Sequence, residues 1–88
     1  MHAVSIQVMF ADRTVAVAEL DEIVLRVSGM PGFVAGYWVA VSGDKGKAMI
    51  VFDSEEAAQA LVNVLQSAPA RGGVAAESIE VGEVMAHA

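Results

Sequence analysis

The order of apolar patterns along the chain predicts an α+β fold: a ferredoxin-like βαββαβ, with a four-stranded antiparallel sheet and two helices on one face of it. Three observations lead there. Residues 3–10 alternate as a strand does, two stretches repeat at helical spacing, and residues 33–53 read as two apolar runs joined by a glycine-containing turn. Strands are expected near 3–10, 33–41, 48–53 and 76–85, with helices near 14–28 and 54–67.

In the first strand Val4, Ile6, Val8 and Phe10 share one face, and Ser5, Gln7 and Met9 the other. Such a strand lies between two different environments. Asp12 and Thr14 are candidate caps for the helix that follows. There Leu20, Ile23, Val24 and Val27 fall at i, i+3, i+4 and i+7, and Val17 extends the stripe. Glu22 and Arg26 form a well-oriented i,i+4 pair on the wet side. Gly29 suits the residue just past the last turn, and Pro31 forbids continuation.

The run from Phe33 to Val41 is aromatic and β-branched, as strands favour. Strict alternation puts Phe33, Ala35, Tyr37 and Val39 on one face, and Val34, Gly36, Trp38 and Ala40 on the other. Residues Ser42 to Lys47 read as the turn, and Ala48 to Phe52 as the second run. Asp53 or Ser54 caps the second helix, Asp53 and Glu56 having capping-box spacing. Its stripe is Ala58, Leu61, Val62 and Leu65, and Pro69 ends it in a loop over 68–73. In the last strand Ile79 and Val81 oppose Ser78 and Glu80, with Gly82 read as a bulge.

All 88 residues form one small domain, 56% hydrophobic and without cysteine. A domain this size buries only about 60% of its unfolded surface and has no disulfide to assist it. The uncharged run from Val27 to Ser42 contains Gly29, Pro31 and Gly32 and is no membrane helix. No secretory signal is apparent, so a cytoplasmic protein is expected. Net charge is −6, which argues against nucleic-acid and anionic-membrane partners. Both faces of the hairpin strands are apolar, but two helices cover one face of a sheet. The other face calls for a second sheet, and an identical subunit supplies one: a homodimer is expected, enclosing a cavity between the sheets.

Pro31-Gly32-Phe33 at the helix-to-strand link and Phe52-Asp53-Ser54-Glu55-Glu56-Ala57 at the second helix resemble the dimeric α/β-barrel superfamily, and within it the antibiotic-biosynthesis-monooxygenase-like (ABM-like) group. The resemblance implies a homodimer, and an activity drawn from cofactor-free monooxygenases of polyketide-like aromatics, haem degraders, cyclases or inactive members. Haem-degrading relatives use an Asn on the first strand, a Trp at the end of the third and a His on the second helix. Those places hold Gln7, Phe52 and Leu61 here, which argues against haem held in that manner, and no cofactor is expected.

The candidate pocket comprises Ser5, Gln7, Met9, Val34, Gly36, Trp38 and Phe52. Trp38 is expected on the face away from the helices, with small Gly36 and Ala40 leaving room beside it for a flat aromatic. Gln7 is its main polar group. The histidines, His2 and His87, lack a third ligand for a metal site. Asp53, Glu55 and Glu56 read as a helix cap, not an acid–base pair. Three classes stay open: a cofactor-independent monooxygenase-like enzyme on a small aromatic, a non-catalytic dimer binding a small hydrophobic ligand, or a structural dimer packed shut.

Overall fold

The computed structural model describes residues 1–10, 13–67 and 74–88. The elements are β1 (His2–Phe10), α1 (Arg13–Ser28), β2 (Phe33–Ala40), β3 (Lys45–Phe52), α2 (Glu55–Ser67) and β4 (Val74–Glu83). Sheet order is β2-β3-β1-β4, and each neighbouring pair is antiparallel. β1 and β2 are therefore parallel with β3 slotted between them, and β3 and β4 parallel with β1 between. That is the split βαβ unit used twice, the ferredoxin-like fold the sequence predicts. The candidate cap Asp12 and the expected loop 68–73 lie outside the described residues.

Both helices lie on one sheet face. Val4 and Ile6 of β1, Ala48, Ile50 and Phe52 of β3, Val27 of α1, and Ala58, Leu61 and Val62 of α2 make a single buried cluster. The stripe on α2 is the expected one, whereas Val17 of α1 is exposed. α1 leans on the edge strand β2 while α2 spans β1, β3 and β4. The first turns of α1 therefore have less sheet beneath them, and helical spacing alone does not bury Val17.

A tight corner joins the two halves. The Phe33 amide donates to the Met30 carbonyl at 3.2 Å, with Pro31 and then Gly32 (φ 82°) in the middle of the turn. This is a type II turn, which needs a left-handed third residue. Gly32 takes that conformation, while Gly29 directly follows the last residue of α1, as expected. A Cβ at Gly32 would stand 2.5 Å from Asp53 Oδ1 and 2.9 Å from Ala57 Cβ. Asp53 donates its amide to the Gly32 carbonyl at 2.8 Å, and the Phe33 and Phe52 rings meet edge to face, 6.2 Å apart. The two motifs that carry the family resemblance thus form one structural corner. Ser54 is the cap, its Oγ accepting the Ala57 amide at 3.1 Å. Ala57 is then the third helical residue, and the Asp53–Glu56 spacing is not used as a capping box.

Three features of the strands depart from expectation. β3 starts at Lys45, so Lys45, Gly46 and Lys47 are strand and not turn, and the hairpin closes through Val41 and Ser42 amides donated to the Lys45 carbonyl. On β2 the register slips between Phe33 and Ala35, leaving Val34 as an extra residue. On β4 the slip skips Glu77, while Gly82 pairs regularly with Ala3; the bulge is at Glu77, not Gly82.

Candidate functional site

The sheet has one covered and one open face, and the register assigns side chains to each. On the open face Tyr37 lies beside Met49, Met49 beside Ser5, and Ser5 beside Glu80. The adjacent row is Val39, Lys47, Gln7 and Ser78. Tyr37 is 63% exposed, Val39 55% and Met49 48%. Half-buried Ala3, Ala35 and Val51 continue this apolar surface.

Of the residues expected in a pocket, Ser5, Gln7 and Met9 are together on the open face of β1. Val34 is exposed at the bulge of the edge strand. Gly36, Trp38 and Phe52 are on the helix-covered side, which corrects the facing expected for Trp38. Phe52 is wholly buried, and Trp38 packs against the core. Gly36 pairs with Ile50 and Trp38 with Ala48, both core residues. The bulge at Val34 carries Phe33 round to the same side as Trp38, against strict alternation. Nor is there room beside the indole at Gly36: a Cβ there would stand 2.7 Å from Trp38 Cη2 and 2.8 Å from Cζ3. The tryptophan occupies the space expected for a ligand.

The aromatic on the open face is Tyr37, and its neighbours Met49 and Lys47 were absent from the expected set. Their signal was the alternation Lys45, Lys47, Met49 against Gly46, Ala48, Ile50. Reading the lysines as turn residues hid it.

Among the described residues no polar or charged side chain is fully buried, and no group of three metal-ligating side chains forms. His2 is on the helix side with Nε2 3.6 Å from Glu55; His87 is exposed in the tail. A hollow of about 630 Å³ runs along Glu55, Glu56, Gln59, Ala60 and Asn63. All five line one helix, so it is a surface groove. Among the described residues no helix is long and apolar enough to cross a membrane.

This geometry defines a ferredoxin-like α+β domain with one sheet face uncovered. No family model and no curated protein matches the chain. Among solved structures it is similar to MhuD, the haem degrader of Mycobacterium tuberculosis, determined with two haems bound in its active site. The TM-score is 0.60 at 17% identity, covering 98% of each chain. A likeness at that identity establishes a shared fold. The haem-binding positions that the resemblance marks do not fit the group here. Phe52 is fully buried and Leu61 is 2% exposed, both in the apolar core, and neither side chain offers a ligand atom to iron.

Proposed function

We propose that this chain is one subunit of a homodimeric α/β barrel that handles a small planar aromatic molecule, with cofactor-independent monooxygenase-like turnover as its chemistry. The observation that carries the reading is the open face. Tyr37, Val39, Met49 and Met9 stand in solvent there, beside uncharged Ser5 and Gln7. Exposed apolar surface of this extent on a small domain, rimmed by the lysines of β3, marks an interaction site. Closure against a second copy would bury roughly 2,000 Å² or more in total, as obligate pairs do. It would also leave Tyr37, Met49 and Gln7 as walls of an inter-sheet space suited to an apolar, hydrogen-bonding ligand. The fold is one that holds large planar ligands in a similar protein.

A substrate with an acidic C–H beside a phenol suits such a site, because it forms its own carbanion and supplies every electron. One O₂ converts its CH₂ group to C=O and releases one water. Among the described residues the single subunit fully buries no charged side chain; Tyr37 is the titratable group that would face the space, and this chemistry does not require it to act as an acid or base. The same observation favours a second reading, a non-catalytic dimer that binds such molecules by apolar contact.

Oxygen uptake and calorimetry on one set of planar hydroxy-aromatics separate the two. Saturable heat with stoichiometric O₂ consumption supports the enzyme; saturable heat with no O₂ consumed leaves the binding module. No binding by any member of the set, with wild-type protein dimeric, rejects both in favour of a dimer packed shut.

A further inference from the structure

The open face carries a charge pattern that selects how a second copy docks. Its basic groups are on β3, at Lys45 and Lys47, and its acidic edge is β4, with Glu80 in register and Glu77 exposed at the bulge of the same strand. Between them runs β1, whose open-face residues Ala3, Ser5, Gln7 and Met9 are all uncharged. Lys47 and Glu80 flank β1 on opposite sides: Lys47 pairs with Gln7, Glu80 with Ser5. Two strand spacings put them about 10 Å apart across the sheet, with a further ~7 Å along it. Both side chains leave the same face and run side by side, not toward each other, so they are poorly placed to pair within one subunit.

A homodimer repeats every contact twice about its axis, and residues on the axis meet their own copies. Charge on the axis is therefore self-repelling, and charge off it must be balanced by what the rotation brings over. We infer that a second copy of this chain docks with the twofold axis running along β1, so that Lys47 of each subunit pairs with the partner subunit's Glu80. This rests on the dimer reading above and adds its register. An axis along β1 exchanges the β3 and β4 sides, laying the lysine edge over the glutamate edge. An axis across the strands would stack β3 on β3 and gather four lysines without counter-ions, in a chain that has only five basic residues in all. Sheets pack about 10 Å apart, and the remaining offset of about two residues along the strand is within reach of a lysine chain. Lys45, at the hairpin end, stays at the rim in water.

The test is charge reversal with mixing. Lys47→Glu and Glu80→Lys should each raise the dimer dissociation constant by about 10-fold or more, measured by sedimentation equilibrium with far-UV circular dichroism as a check on folding. The double variant should return to within about 3-fold of wild type. Mixing the two single variants should give heterodimer almost exclusively in native mass spectrometry, because both contacts are then opposite in sign. If the singles fold poorly alone, refolding them together should produce the same heterodimer. A statistical 1:2:1 distribution, or single variants as tightly dimeric as wild type, overturns the register while leaving the dimer standing. A wild-type chain that is monomeric overturns the dimer itself, and the register with it.

Discussion

The two faces of this sheet are built from the same strands and differ in almost everything else. On the helix side Val4, Ile50, Phe52 and Ala58 have essentially no exposure, and no charge interrupts them. On the open side Tyr37, Val39 and Met49 are about half exposed or more, with Lys45, Lys47 and Glu80 among them. A strand interior has period two, so each face is an independent sequence written on alternate residues. The covered face is written for packing. The open face has too much apolar area for water alone and too much charge for a core, which is the composition of an interface with a polar rim.

Substitutions measure that difference. Phe52→Ala, on the covered face, should cost about 3–5 kcal/mol through lost burial and the cavity left behind. Met49→Ala, three residues earlier on the open face, should change unfolding of the isolated subunit little and act instead on association. Urea denaturation at several protein concentrations distinguishes them: the first lowers the midpoint at every concentration, the second most strongly in dilute solution. Equal, concentration-independent losses would erase the contrast between the faces.

Gly32→Ala comes next, at about 1–3 kcal/mol. It places a Cβ against Asp53 and Ala57 and forces a left-handed φ on a residue that disfavours it. The same denaturation experiment reads it, and an unchanged midpoint would show that the corner between α1 and α2 has slack.

Trp38 offers a spectroscopic version. In Gly36→Ala the new methyl meets the indole ring, so tryptophan emission should shift to longer wavelength as the ring swings toward water. Tyr37→Ala, one residue from Trp38 but on the opposite face, should leave emission unchanged in the folded protein. A shift of equal size in both would place the two aromatics on one face.

The smallest effects are at α2 and α1. Ser54→Ala removes the cap on the Ala57 amide and should cost about 1 kcal/mol. Glu22→Gln breaks the exposed pair with Arg26 and should cost at most about 0.5 kcal/mol, fading with salt.

The fold was legible because its signals are long. A shift from period two to period 3.6 and back, with Pro31 and Ser54 as punctuation, was enough to give six elements in the right order. The site was less legible because its signal is a phase, and a phase is lost at a single inserted residue. The bulge at Val34 turns Phe33 to join Trp38, and nothing local in Phe-Val-Ala marks it. The charges of Lys45 and Lys47 looked like a turn, although glycine and alanine alternate with them as strand residues should. Trp38 was placed outward because Gly36 left room beside it; the indole itself fills that room. Helical spacing likewise placed Val17 inward, where the sheet offers α1 less cover.

Sedimentation equilibrium of the wild-type chain from sub-micromolar to tens of micromolar tests the central claim most directly. If a second copy closes the open face, the mass is twice the 9.1 kDa of one chain down to low micromolar concentration. A folded species of 9.1 kDa persisting at tens of micromolar would mean that Tyr37, Val39 and Met49 face water by themselves, contradicting the account.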